Sequence, residues 1–195
     1  MSEKVSQDQP LDYLKSYKEK SLGVMQRISE EAVARLISLL ADARKANRQI
    51  FLCGNGGSAS TASHFANDLG KGASWNRDDR FRVLALTDNV SWITALANDT
   101  DYSQIFVEQL KNYASPDDVL IAFSGSGNSP NVLEAVQWAN ESSLVTVGVT
   151  GRPGGKLGEM ARYQIFVETS HMGHIEEGHF LIQHLVGYYF METEE

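Results

Sequence analysis

The sequence predicts an α/β protein: a three-layer sandwich with a five-stranded parallel sheet between helical layers, preceded by an N-terminal helical extension. Three observations lead there. Five short apolar runs alternate with stretches of helical periodicity, the pattern of a sheet buried on both faces. Two loops rich in glycine and serine each follow an apolar run and open a helical one. The helical material at the two ends exceeds what one sheet needs to cover its faces.

From Leu11 to about Asn47 the periodicity predicts two helices, the second starting at Ser29-Glu30-Glu31 and carrying Val33, Leu36, Ile37 and Leu40 at three- and four-residue steps. Ile50 to Cys53 is the first strand and 58–70 the helix after it. Val83 to Leu86 follows as a strand, then helical stretches at 91–96, where Trp92, Ile93 and Leu96 form a packing stripe, and at 103–113. Val119 to Phe123, Val145 to Val149 and Ile165 to Val167 complete the sheet. Helices at 129–140 and 155–161 lie between them, and a last helix covers about Ile175 to Met191. No internal repeat or linker divides the chain. The expectation is one domain over 1–195, with the helical extension at about 11–47, the sheet core at about 48–170 and the C-terminal helix at about 175–191. The surplus helices suggest a homo-oligomer in which their apolar faces meet other copies.

The 195 residues are 42% hydrophobic with a formal charge of -8, enough for a proper core and unfavourable for a duplex nucleic acid partner. A small anionic ligand stays possible where a pocket supplies its own donors. The single cysteine, Cys53, has no disulfide or zinc-site partner and reads as a small buried hydrophobe. No basic-then-apolar leader and no apolar run of about 20 residues occurs, so the expected setting is cytoplasmic, without membrane contact.

The first loop, "FLCGNGGSAS", places Gly54, Gly56 and Gly57 where a backbone can approach a ligand closely, with Asn55 and Ser58 as polar side chains. Alone it reads equally well as a tight turn with Ser58 capping the helix. The second, "IAFSGSGNSPNV", repeats the plan with Ser124, Ser126 and Ser129 among Gly125, Gly127 and Asn128, and puts Pro130 in the first helical turn. Hydroxyls and free backbone N–H groups at a helix N-terminus suit phosphate oxygens, so two such loops predict one phosphorylated ligand. Neither carries a Walker lysine or the G-x-G-x-x-G spacing, which argues against a nucleotide. "TGRPGGKL" at 150–157 reads as a simple reversal into a short helix.

Together, these loops and the order of elements around them resemble the SIS (sugar isomerase) domain, a flavodoxin-like fold. Within it, "CGNGGSAS", "HFANDL", "ALTDNVSWITALANDTDY", "VLIAFSGSGNSPNVLEA" and "VTGRPGGKLGEMA" are similar to the phosphoheptose isomerase family over about residues 11–190. The resemblance implies conversion of sedoheptulose 7-phosphate to D-glycero-D-manno-heptose 7-phosphate, a zinc ion, and a homotetramer with sites at subunit interfaces. It implies metal ligands at His64, Asp68, Glu176 and His184, with Asp68 and His184 as the acid/base pair. It implies sugar phosphate contacts at Asn55, Gly56, Gly57, Ser58, Asn98, Asp99, Ser124, Gly125, Ser126, Ser129 and Glu176. Asp68 stands where the family has Glu, Glu176 where it has Gln, and Gly125 where Thr is common.

Aldose–ketose isomerisation moves a proton between adjacent carbons, for which a carboxylate and an imidazole are natural choices. His64 and Asp68 are four residues apart and share one helix face. Asp is shorter than Glu by about 1 Å, which matters where reacting atoms must approach closely. On the last helix, spacing alone brings Glu177 onto the face of His184, whereas the resemblance selects Glu176. His171, His174 and His179 read as surface, loop or capping residues. Two alternatives stay open on the residues: an isomerase of another sugar phosphate, and a non-catalytic SIS protein that binds a sugar phosphate or a protein partner.

Overall fold

The structure is a computed structural model that describes residues 10–193. Two helices come first, α1 (Pro10–Met25) and α2 (Glu30–Lys45). The second begins where Ser29 accepts a hydrogen bond from the Ala32 amide at 3.1 Å, carries Glu30 and Glu31 in its first turn and Arg44 and Lys45 in its last, and buries Val33, Leu36, Leu40 and Ala43.

Five strands follow: β1 (Gln49–Cys53), β2 (Arg82–Ala85), β3 (Val119–Ser124), β4 (Val145–Gly151) and β5 (Tyr163–Val167). They form one parallel sheet in the order β2-β1-β3-β4-β5. Between and after them lie α3 (Gly57–Asn67), α4 (Val90–Asp99), α5 (Val107–Tyr113), α6 (Pro130–Glu141), α7 (Gly155–Met160) and α8 (Met172–Glu192). One face of the sheet buries Ile50, Leu52, Ile121 and Phe123 against α2, α3 and α8. The other buries Phe51, Leu120 and Ala122 against α5 and α6. Full burial of a side chain such as Phe51 contributes about 2–3 kcal/mol, so the uninterrupted apolar runs of β1 and β3 are what the two-sided sheet requires at its centre.

The chain leaves β1 to one side for β2 and to the other for β3, so the first and third strands enclose the point where the winding reverses. Both glycine-serine loops emerge there, at the carboxyl ends of adjacent strands.

Three details depart from the sequence reading. The stretch 103–113 is not one helix: a 3-10 turn (Tyr102–Gln104), capped by Asp101 accepting from the Ser103 amide at 2.8 Å, precedes α5. The helix after β1 starts at Gly57, behind Gly56 with a positive φ of +54°, so Ser58 lies inside its first turn, buried, and is not the cap. The same helix ends early and widens into one π-helical turn (Asp68–Gly72).

Candidate active site

The two loops form the walls of a cavity of about 290 Å³, lined by Asn55, Gly56, Gly57 and Ser58 from the first and Ser124, Gly125, Ser126 and Ser129 from the second. Neither α3 nor α6 receives a side-chain cap at its N-terminus. The Ser129 hydroxyl, in the N-cap position, instead stands 3.2 Å from Ser124 Oγ, and Ser124 Oγ accepts from the Gly127 amide at 3.2 Å. Gly127 has φ +65°, and a Cβ there would lie 1.8 Å from the Gly154 carbonyl oxygen, so the 150–157 turn is pressed against the back of the second loop. Leu157 N donates to the Gly127 carbonyl at 2.9 Å and Lys156 N to Asn128 Oδ1 at 3.1 Å, so the expected simple reversal is also a buttress.

The two loops are joined by a pair of amides. Asn55 Nδ2 donates to Asn131 Oδ1 and Asn131 Nδ2 donates to Asn55 Oδ1, both at 2.8 Å, with Asn131 buried in the first turn of α6. The Tyr102 hydroxyl adds a third bond, to Asn55 Oδ1 at 3.2 Å.

Beyond Gly57 a second cleft, of about 570 Å³, opens between α1, α3 and α8 and includes His184. His64 projects from the last turn of α3, and the π-helical turn begins with Asp68. His64 Nε2 lies 3.3 Å from His184 Nε2 and 3.4 Å from Asp68 Oδ2. One ligand atom from each of the three residues falls within 4.8 Å of the others. Asp68 is buried, and its Oδ2 has no hydrogen-bond partner. Phe180 packs edge-on against both imidazoles, at 4.9 Å from His64 and 4.5 Å from His184. A buried carboxylate oxygen without a donor, facing two ring nitrogens, is the environment a cation satisfies. The separations of 3.3 and 3.4 Å match the roughly 3.3 Å edge of a tetrahedron with bonds of about 2.0–2.1 Å, the length of zinc bonds to histidine nitrogen. Two imidazole nitrogens and a carboxylate oxygen so placed are a donor set that suits a divalent ion.

The SIS domain profile matches residues 12–151. The phosphoheptose isomerase of Azoarcus sp. (strain BH72) is 38% identical over 155 residues, 78% of each chain. That of Mycobacterium tuberculosis (strain ATCC 25177 / H37Ra) is 39% identical over 160 residues, 82% of this chain and 81% of the relative. The chain belongs to the phosphoheptose isomerase family of SIS-domain proteins. Among solved structures, phosphoheptose isomerase GmhA from Neisseria gonorrhoeae superposes with a TM-score of 0.84 at 29% identity, covering 92% of this chain and 97% of that one. The phosphoheptose isomerase from Francisella tularensis gives 0.85 at 29% identity, covering 95% and 99%. The sheet order and flanking helices described above are thus those of the phosphoheptose isomerase fold.

Within that family frame, the structure gathers His64, Asp68 and His184 but leaves Glu176 outside their group. Eight residues of helix separate Glu176 from His184, a rise of about 12 Å. The Glu176 carboxylate lies beside Gly57 instead, where an added Cβ would meet its Oε1 at 2.7 Å, and it lines both cavities. Asn98 and Asp99 are exposed at the end of α4, with Asn98 Nδ2 donating to Asp99 Oδ1 at 2.8 Å, and do not line the cavity between the two glycine-serine loops.

Glu177, the residue that helical spacing favours, turns to α1: Tyr17 donates to its Oε1 at 2.8 Å, Ser21 donates to its Oε2, and His174 Nδ1 lies 3.4 Å away. The Glu177 hydrogen bond raises the Tyr17 hydroxyl to about 12. His171 caps α8 through the His174 amide, as a capping reading expects. His174 and His179 are buried, against the expectation of surface positions; His179 packs toward Phe123 at 5.7 Å, and burial holds its ring down at about 4. Cys53 is sealed in β1, where burial pushes its thiol up to about 12.

Three contributors escaped the sequence reading: Asn131, Phe180 and Met172, whose thioether stands over Gly125 in the wall of the cavity between the two glycine-serine loops. Phe180 was detectable in principle, four residues before His184 on one helix face.

Proposed function

We propose that the protein is a metal-assisted ketose–aldose isomerase that converts sedoheptulose 7-phosphate to D-glycero-D-manno-heptose 7-phosphate. The observation that carries this reading is the junction of the two cavities: Gly57 and Glu176 line both, so a sugar held by its phosphate between the loops extends its carbon chain toward His64, Asp68 and His184.

His64, Asp68 and His184 would hold the ion, with zinc the expected occupant, and Glu176 would border the reacting end from the loop side. When bound, such an ion polarises the substrate carbonyl as a Lewis acid. The Ser124, Ser126 and Ser129 hydroxyls and the two helix N-termini fix the phosphate and so set which carbons reach the acid/base pair. Asp68 takes the proton from C1 of the ketose and returns it to C2 of the enediol, and His184 moves the proton between the oxygens on C1 and C2. The ring of Phe180 packs edge-on against both imidazoles.

The whole chain acts as one SIS domain in this reading, in the cytoplasm. A homotetramer is supported by Leu14 and Leu22 on α1 and Leu185 and Tyr188 on α8, large apolar side chains left exposed. A partner copy could then bring its Asn98 and Asp99 to the substrate. No helix among the described residues is long and apolar enough to cross a membrane.

The test is proton NMR of the purified protein with sedoheptulose 7-phosphate, with and without added zinc. A new aldoheptose anomeric signal, absent in Asp68→Ala, is the expected result. Absence of conversion under every metal condition, together with phosphate-dependent shifts in the loop resonances, would replace the isomerase with a binding role.

A further inference from the structure

The protein has nine arginines. Seven have partners among the described residues. Arg44, Arg48 and Arg152 pair with Asp79, Asp117 and Glu168, while Arg27, Arg80 and Arg82 donate to backbone carbonyls. Arg77 is likewise engaged. The two left, Arg35 on α2 and Arg162 in the turn before β5, have no hydrogen bond or ion pair from their guanidinium groups among the described residues; Arg162 only leans over the Tyr163 ring at 5.9 Å. Both line the same cavity, of about 160 Å³. No acidic side chain lines it. Glu31, one turn before Arg35, accepts the Ser29 hydroxyl at 2.9 Å and lies near enough to the Arg35 charge for that charge to help lower its pKa, without forming an ion pair.

In a chain of net charge -8, two arginines without a hydrogen bond or ion pair from their guanidinium groups, lining one cavity, are a local exception. An anion between them would satisfy both, and the planar fork of a guanidinium matches carboxylate oxygens in particular. The floor has different chemistry: Leu36 and Leu39 from α2, Val147 from β4 and Ile165 from β5. The volume is close to that of a cavity of roughly 150 Å³ that admits a single benzene ring. The position is also separate from the site above. Val147 pairs with Tyr163 at the start of β5, whereas the phosphate loops leave the carboxyl ends of β1 and β3.

We propose that the cleft between α2 and the edge strand β5 is a second ligand site, which takes a small organic carboxylate with its anionic head between Arg35 and Arg162 and its hydrocarbon body on the Leu36–Ile165 floor. An inorganic anion satisfies the arginines but makes no apolar contact with the cavity wall. A neutral ring covers the floor and leaves the arginines unpaired. The two halves together select the amphiphilic anion.

The experiment is methyl-labelled NMR of the full chain titrated with sodium benzoate, with benzamide and inorganic phosphate in parallel. Benzoate should give saturable shifts of the Leu36, Leu39, Val147 and Ile165 methyls. Benzamide and the Arg35→Gln/Arg162→Gln variant should each weaken the response about tenfold or more, as expected when a charge-assisted hydrogen bond is lost. The remaining methyl spectrum of the variant reports that it is folded. The proposal is overturned if benzoate leaves these methyls unmoved, if the double variant responds as the parent does, or if phosphate matches benzoate at them. It is equally overturned if the variant has a smaller mass in solution and benzoate has no effect, since the arginines then serve a contact between copies. None of these readouts depends on isomerase activity.

Discussion

His64 Nε2 and His184 Nε2 face one another at 3.3 Å across the contact of α3 with α8, brought together from positions 120 residues apart. Two neutral imidazoles can share one proton in that arrangement, yet the Asp68 oxygen beside them would stay without a donor. A divalent ion satisfies all three. Dialysis against EDTA should therefore lower the melting temperature, and zinc at about 100 times its dissociation constant should restore about 2.7 kcal/mol, or roughly 5–10 °C for a chain of this size. His184→Ala should abolish the zinc-dependent gain in a thermal scan; an unchanged gain would place the ion elsewhere.

Asp68→Asn keeps the volume of the side chain and removes its basicity. If Asp68 carries the proton between C1 and C2, kcat falls by about 10²–10⁴-fold. Inorganic phosphate should still shift the loop resonances in 31P-coupled titrations, because the loops are separate from the π-helical turn. A loss confined to KM would instead make Asp68 a binding group.

His179 gives acid sensitivity with a defined window. Its folded value of about 4 lies below the ordinary 6.5, so the unfolded chain binds the proton more readily. Stability from keeping this ring neutral is complete above about pH 6.5 and is lost as pH falls toward 4, by about 3 kcal/mol at most. Urea midpoints at pH 7 and pH 4.5 should converge for His179→Gln relative to the parent, and parallel slopes in the two proteins would remove His179 as the cause.

Glu177 fastens α1 to α8 through Tyr17 and Ser21. Glu177→Ala should let the Tyr17 hydroxyl fall from about 12 toward its ordinary 10.0, seen by carbon NMR of labelled tyrosine during an alkaline titration. The same change should cost about 1–3 kcal/mol of stability, because two hydroxyls and the His174 ring lose their acceptor. A Tyr17 titration that stays high would mean another group raises it.

Gly127→Ala meets two obstacles, the left-handed backbone angle and the Gly154 carbonyl. The strain alone is about 1–3 kcal/mol. A drop in melting temperature of at least about 4 °C is expected, together with weaker phosphate binding, since the Ser124–Ser129 contact is formed around this turn. A variant of parental stability would show that the buttress yields.

The parallel sheet and its loops were legible because they rest on local signals: apolar runs for strands buried on both faces, and glycine with serine where the backbone must turn sharply and leave donors free. His64 and Asp68 on one face followed from helical spacing. The fates of Glu176 and Glu177 did not, because an angle around α8 says nothing of what each face meets; α1, whose Tyr17 lies 160 residues earlier, takes Glu177. The π-helical turn at Asp68 has no local marker and arises where α8 passes it at Gly187, whose added Cβ would lie 3.1 Å from Asp68 Cβ. Asn131 reads as an ordinary first-turn residue until Asn55 is placed opposite, and His179 as an ordinary helix residue until Phe123 closes over it.

The Asn55–Asn131 amide pair has a thermodynamic corollary. Each side chain satisfies the other, so neither loop can swing away without stranding polar atoms of a buried asparagine. The cradle proposed for the phosphate is consequently assembled as the sheet folds, before any ligand arrives. The loss of loop freedom belongs to the folding transition, association finds a rigid, pre-organised cradle, and affinity for the phosphate head should owe little to induced closure.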